Sequence, residues 1–505
     1  MIQRRFLILV LLVIPFFSGE PAVADLREEV ESYIQSHQKE IVRELVEALS
    51  IPNVSSDREN IQRKAEYLRR MLDRHGFAAE LLETEGNPLV YGELVVPGAD
   101  RTLLLYCHYD GQPVDPSQWN QEDPFRPILR DGKLEEGGKE LNFGTVEGFE
   151  PDWRIYGRST SDDTSPIVAI VAAVDALRYH RRQPKSNLRV ILDGEEEAGS
   201  PSMEPAIDQY HQKLHADMML ILDGPIHPSR RPTLVYGARG ILTLELTIYG
   251  PKMSLHSGHY GNWAPNPAMR LALLLASMKN EEGRTVIAGF NDGVQILPEE
   301  QQVLDSVPDD LEGLQKFLGF SEPDTVGRSL QEAVQYPSLN VRGLKSAWVG
   351  SEVRTIVPDR AIAAIDVRLV KETPADEMYE KVVAHIKKQD YHIVKEDPDD
   401  ATRAQYPRIV KILRSAGSEA YRTSLGDPQA RELVEVLTKT WGETPVRIRT
   451  SGGTVPIAPF VRKLGFPAVS VPIVNFDNNQ HSPNENLQLG YFFNGIVTLA
   501  AAFTM

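Results

Sequence analysis

The sequence predicts an α/β fold, a layered sheet flanked by helices, interrupted once by an α+β insert. Three observations carry this. Helical and strand periodicities alternate through the first part of the chain. Several strands are continuous apolar runs, Leu103-Leu104-Leu105-Tyr106 foremost, and such runs suit strands buried on both faces of a parallel sheet. From residue 234 the pattern changes to alternation, clearest in 241–249 (ILTLELTIY), as in a sheet with one exposed face. At 505 residues the chain is too long for a single core. It divides into 1–24, 25–233, 234–426 and 427–505, with the insert as the third segment.

Residues 1–24 place Arg4 and Arg5 ahead of an apolar run, 6–17, and end in Ala22-Val23-Ala24. This is the layout of a secretory signal peptide cleaved after Ala24, and the run is short for a bilayer span of about 20 residues. The mature chain is therefore expected in an exported compartment, periplasmic or secreted, without stable membrane insertion. Cys107 is the only cysteine, so an internal disulfide is excluded. Its setting suits a small buried strand residue.

Residues 25–49 carry Val30, Ile34, Ile41, Leu45 and Leu49 at helical spacing, and Ser50-Ile51-Pro52 stops the helix. A second helix is expected over 60–75, ending at Gly76, and strands over 90–95 and 103–106. After a Pro/Asp/Trp-rich loop at 111–125, Ser165 and Pro166 read as the cap and first residue of an apolar helix over 167–177. Asp162 and Asp163 precede it, where carboxylates suit the helix dipole, so capping alone accounts for them at this level. Strands follow at 188–192 and 218–222. In the insert, strands are expected at 241–249 and 361–370 and helices at 267–278 and 377–388, with no element assigned in 280–349. A helix over 427–441, two apolar runs, a polar loop at 475–485 and a final helix over 487–502 complete the chain.

With 41% hydrophobic and 25% charged residues this is an ordinary folded chain, and a net charge of -17 without a Lys/Arg cluster excludes nucleic acid as a partner. The chemistry gathers at strand ends. His108 closes the strand at 103–106, and a metal-bound imidazole there could donate its other N–H to Asp110. The strand at 188–192 runs into Glu195-Glu196-Glu197, adjacent acids that repel unless cations or a shared proton offset them. The strand at 218–222 ends on Asp223. With Asp162 and His481, the set holds two imidazoles and several carboxylates and no thiolate, which suits one or two divalent ions, zinc first, with manganese or cobalt as alternatives. Five ligands overfill one tetrahedral site but suffice for two ions about 3.5–4 Å apart if one carboxylate bridges. A further carboxylate would then stay free to take a proton from water.

Six ordered motifs, CHYDG (107–111), GRSTSDD (157–163), GEEEAGS (194–200), LDG (222–224), LHSG (255–258) and HSPNE (481–485), resemble those of the M20 family of dinuclear metallopeptidases. Within it the chain is most similar to the carnosinase-like dipeptidases, with glutamate carboxypeptidases and acylases close by. The resemblance implies a zinc-exopeptidase-like catalytic domain with a mixed, largely parallel sheet, and an inserted α+β lid that also forms a homodimer interface. It implies that Asp162 bridges two metals, that His108 and Asp223 complete one site and Glu197 and His481 the other, and that Glu196 activates the bridging water, with Asp110 beside it. It implies that His256 reaches a partner subunit's scissile carbonyl, that Arg368 grips the substrate's terminal carboxylate, and that Thr355, Gly453 and Thr454 contact substrate. Thr164-Ser165 and Thr450-Ser451 depart from the family, where Lys-Gly or Lys-Ala and Arg-Glu are frequent. The expected activity is cleavage of dipeptides or short peptides next to a free terminal carboxylate. An N-acyl-amino-acid amidohydrolase is the alternative, and a non-catalytic exported binding protein a third, against which Glu196 and His256 count.

Overall fold

The computed structural model describes residues 25–415 and 417–505, so the expected signal peptide lies outside the described residues. The apolar runs form an eight-stranded sheet. Its strands lie in the order Ala78–Leu82, Leu89–Leu94, Asn187–Asp193, Thr102–His108, Met218–Ile221, Ala468–Ser470, Thr233–Val235, Val446–Ile448. The three central strands and Ala468–Ser470 run parallel, and antiparallel pairing appears towards both edges. Register matters most here. His108 pairs with Asp193 and Tyr106 with Ile221, so the chain leaves three neighbouring strands at one level. The segments after them, holding Asp110, Glu195–Glu197 and Asp223, therefore share one edge of the sheet, where α/β folds build their sites.

Helices Leu26–Leu49, Ser165–Tyr179, Pro428–Trp441 and Leu489–Ala502 cover one face, and Met203–Gln209 and Ala458–Leu464 the other. The helix Ser165–Tyr179 is apolar nearly all round because it is enclosed between the sheet and its neighbouring helices. Its start differs from the expected cap. Thr164 precedes it in a helical conformation without a side-chain cap bond, Ser165 is already helical, and Asp162 and Asp163 have non-helical dihedrals. The two acids consequently point away from helix capping. Buried Lys64 secures this junction, donating from Nζ to the Ala48 carbonyl at 2.5 Å and to Thr164 Oγ1 at 3.2 Å.

The chain crosses into the insert at Gly237–Ala238, which pair with Tyr421–Arg422. A Cβ on Gly237 would stand 2.4 Å from the Tyr421 carbonyl, so glycine is what lets the two crossing strands meet. Because Thr233–Val235 still belongs to the large sheet, the crossing falls a few residues beyond the expected 233/234 boundary. The insert is a five-stranded sheet in the order Ser338–Lys345, Arg360–Leu369, Gly240–Tyr249, Ile409–Arg414, His392–Val394. Leu242, Leu244, Leu246 and Ile248 face helices Pro267–Ala276 and Ala375–Lys388 in a second core. The stretch 280–349 contributes helices Pro298–Asp305, Leu311–Leu318 and Leu330–Ala333 and the edge strand Ser338–Lys345. A four-stranded sheet of Asn486–Gln488, Arg154–Tyr156, Ile128–Arg130 and Glu140–Leu141, not expected from periodicity, backs the loop that carries His481.

One charged cluster ties three helices together. His75 sits between Asp175 at 2.5 Å and Glu44 at 3.0 Å. Burial alone would depress the imidazolium, but the two carboxylates outweigh it and raise His75 to about 9. A raised histidine stabilises the fold fully below its unfolded value of about 6.5 and loses that contribution as pH rises through about 9. After discounting for partial exposure we expect about 1–2 kcal/mol. Thermal unfolding of the wild type should therefore weaken between pH 7 and pH 9.5 relative to His75→Gln, and parallel curves would show the cluster to be neutral.

Candidate metal centre

Three strand ends and two loops deliver the polar groups. His108, at the end of Thr102–His108, is fully buried and directs Nε2 to Asp162 Oδ1 at 2.8 Å. His481 approaches the other oxygen of the same carboxylate, with Nε2 at 3.0 Å from Oδ2, and lies 3.4 Å from Glu197 Oε2. Asp223 closes the first group. One donor atom each from His108, Asp162 and Asp223 lie within 4.8 Å of one another, as do those of Asp162, Glu197 and His481. The two groups share Asp162. All five residues expected as ligands thus come together from distant parts of the chain.

A surrounding layer holds these side chains. The expected hydrogen bond from His108 to the Asp110 carboxylate is not the main contact. Nδ1 lies 3.1 Å from the Asp110 backbone carbonyl and 3.4 Å from Oδ1. The carboxylate instead accepts the backbone N–H groups of Glu196 at 3.0 Å and Glu197 at 3.1 Å, because the turn after Asp193 folds back over the neighbouring strand end. Asp110 therefore fixes both the histidine and the acidic turn. Glu485, fully buried, does the same for Asp162. It accepts the N–H groups of Ser159, Ser161 and Asp162 at 2.9–3.0 Å and the Arg158 guanidinium at 2.7 Å. Asn53 ties Ser159 to the strand end through Oγ at 3.0 Å and the Tyr109 carbonyl at 2.7 Å. Gln480 reaches Asp162 Oδ2 at 3.1 Å, and Gln112 reaches Glu197 Oε2 at 2.5 Å. Ser159 and His481 hold left-handed backbone, with φ of 64° and 60°, conformations that persist only where surrounding contacts enforce them. Glu485 closes the HSPNE motif but had no expected role; Asn53, Gln112 and Gln480 carry no signal in the sequence.

The electrostatics favour cations. Asp162, Glu196, Glu197 and Asp223 crowd against two imidazoles. Burial, then the charges of Asp223, Glu197 and Asp162, push Glu196 up to about 8, and burial with Asp162 and Glu197 lifts Asp223 to about 6, despite relief from His108. Asp163, fully buried, keeps Oδ1 without a hydrogen-bond partner. A buried acid cluster of this kind needs compensating positive charge. The nitrogen and oxygen donors fit divalent first-row ions.

The lid residues form two further groups. Arg368 donates from Nη1 to Thr454 Oγ1 at 2.9 Å, joining lid and catalytic part beside Gly453. His256 is exposed and pairs with Ile356 next to Thr355, whose carbonyl accepts the Ser257 N–H at 3.1 Å. His256 is not among the described residues grouped around Asp162. Of the two departures, Thr164 accepts a hydrogen bond from Lys64, and Arg449, next to Thr450, turns towards Gln335 and Glu300 of the insert.

A model of peptidase family M20/M25/M40 matches residues 104–504. The chain belongs to this family. It is 26% identical to the Cys-Gly metallodipeptidase dug1 of Schizosaccharomyces pombe, over 93% of this chain and 96% of that protein. It is 25% identical to the human Beta-Ala-His dipeptidase, over 98% and 96%. Among solved structures it resembles the M20 family metallo-carboxypeptidase Sso-CP2 from Sulfolobus solfataricus, at 31% identity and a TM-score of 0.73, covering 92% of this chain and 98% of that one. The M20 fold, a peptidase catalytic part with an inserted second domain, is thus the frame in which the cluster stands.

The supporting layer makes a specific prediction for this M20 peptidase. Glu485→Gln keeps the shape but removes the charge that faces Arg158, and its amide NH2 must meet either the Ser161 and Asp162 N–H groups or the Ser159 N–H and the guanidinium. It should cost about 3–5 kcal/mol of stability and weaken divalent-metal affinity by about 10–100-fold. Melting of the metal-stripped protein and metal titration read the two effects separately.

Proposed function

We propose that this protein is an exported dipeptidase of the M20 family that works with two divalent ions. The shared carboxylate of Asp162, set between two ligand groups, carries this reading. His108 and Asp223 would hold one ion and Glu197 and His481 the other, zinc being the first choice. Two such ions, when bound, supply Lewis acidity and bring the acidity of water close to neutral pH.

The protein's own groups do the rest. Glu196 lies on the acidic turn beside the ligands and is not in either ligand group, so it is free to take a proton from the attacking water and return it to the leaving amine. Arg368, with Thr454 and Gly453, would hold the substrate's terminal carboxylate, a planar anion matched by a guanidinium fork. In this reading the partner subunit's His256 stabilises the oxyanion, which requires a homodimer. Support for dimerisation comes from the lid: Met269 and Leu273 on one helix and Leu344 on the edge strand are each at least 60% exposed, and the strand has a free edge. Export rests on Arg4-Arg5, the apolar run and Ala22-Val23-Ala24.

Parallel assays on dipeptides and N-acyl amino acids test the substrate class. Dipeptides should be cleaved faster, with chelator-treated protein inactive and activity restored by zinc or manganese; faster turnover of N-acyl amino acids would make the protein an amidohydrolase instead. Glu196→Gln should lose about 10²–10⁴-fold in kcat with metal content unchanged. Unchanged kcat would remove Glu196 as the base.

A further inference from the structure

A second arginine stands behind Arg368. Arg239 lies at the crossing into the lid, is 8% exposed, and keeps its buried Nε without a hydrogen-bond partner. Its Nη2 donates to the Tyr336 carbonyl at 3.0 Å and to Ser338 Oγ at 2.8 Å. Ser338 is the cross-strand partner of Arg368, so both guanidiniums flank one position of the lid sheet. They are close enough to act on each other: burial first, then repulsion from Arg368, bring Arg239 down to about 10, with Asp366 opposing.

The counter-charge is incomplete. Asp366 lies 3.6 Å from Arg368 Nε and also accepts from Asn340 at 3.0 Å, so one carboxylate answers two guanidiniums. The adjoining turn, Thr450-Ser451-Gly452-Gly453-Thr454, contains no acid. That turn is bound at both ends by the same two residues. The Arg239 backbone N–H donates to the Ser451 carbonyl at 3.3 Å, and Arg368 holds Thr454. Between them, Gly452 and Gly453 face open space on the side where a Cβ would stand. Buried cations are normally paired, and an orphaned buried guanidinium donor one strand position from Arg368, which itself bonds an acid-free turn, points to an anion that arrives from outside.

We propose that Arg239 is a specificity-determining residue of the carboxylate subsite: with Arg368 it gives that subsite a net positive charge, so that the subsite takes a free carboxylate and rejects a neutral terminus. The proposal deepens the dipeptidase reading and rests on its placement of the terminal carboxylate at Arg368. Arg239 acts through its charge and takes no part in proton transfer; its backbone bond to the Ser451 carbonyl is independent of the side chain.

Leucine and leucinol share a side chain and an amine and differ in the carboxylate, and neither has a bond to hydrolyse. Calorimetric titration into the zinc-loaded full chain should show wild type binding leucine at least about tenfold more tightly than leucinol. Arg239→Gln should lose about tenfold for leucine and nothing for leucinol, while Arg239→Lys keeps most of the preference. In wild type, inorganic sulfate should compete with leucine and leave leucinol untouched, a readout that needs no variant. Equal losses for both ligands in Arg239→Gln, or a wild type without preference or sulfate competition, would overturn the proposal. Failure of the dipeptidase reading would appear separately, as absent turnover with the leucine preference intact.

Discussion

The organising constraint is the repulsion among Asp162, Glu196, Glu197 and Asp223: the register of parallel strands brings the last three to one sheet edge, and the turn before helix Ser165–Tyr179 adds Asp162. Buried carboxylates at such spacing cannot all ionise unless positive charge is placed among them. The protein supplies two imidazoles, both directed at Asp162, and leaves the remainder to be met by cations or protons. Burial first, and then this imbalance, lifts Glu196 and Asp223 above ordinary carboxylates. A bound cation would reverse it, returning the ligands to their ionised form and coupling metal uptake to proton release.

Such a cluster needs rigid support, and much of the surrounding sequence provides it. Asp110 and Glu485 are buried acids whose oxygens are used on backbone N–H groups, one holding the turn of Glu196 and Glu197, the other the turn of Asp162. Lys64 pins the same region from below by joining the end of the first helix to Thr164. The cost of the left-handed residues Ser159 and His481 is met by these contacts, which hold the ligands in place. The lid adds a different element. Its hydrogen bond from Arg368 to Thr454 joins the lid to the catalytic part, and in the proposed function substrate recognition then depends on both parts of the chain.

The elements most legible in the sequence are those whose burial is uniform. Continuous apolar runs marked Thr102–His108, Asn187–Asp193 and Met218–Ile221 within a residue or two, and alternation marked Gly240–Tyr249 and Arg360–Leu369. The short helices between 280 and 349 escaped because each is too short for periodicity to stand out, and Leu311–Leu318 has no buried residue at all. Ser-Pro suggests a cap at Ser165 because it is a local signal, whereas Glu485, distant in sequence, decides how the preceding turn winds. At the site, strand-end acids and histidines were legible because several strands stop on them together. Their supports were not: Asn53, Gln112 and Gln480 are ordinary polar residues until folding brings them near, and the Asp110 carboxylate proved to serve the backbone of the next strand's turn more than its own histidine.

In the proposed function Asp162 lies between two cations. Anomalous diffraction from crystals of zinc-loaded protein tests it most directly. Two peaks per chain are expected, about 3.5–4 Å apart, one beside His108 and Asp223 and one beside Glu197 and His481, with the Asp162 carboxylate between them. A single peak, or peaks away from Asp162, would contradict it.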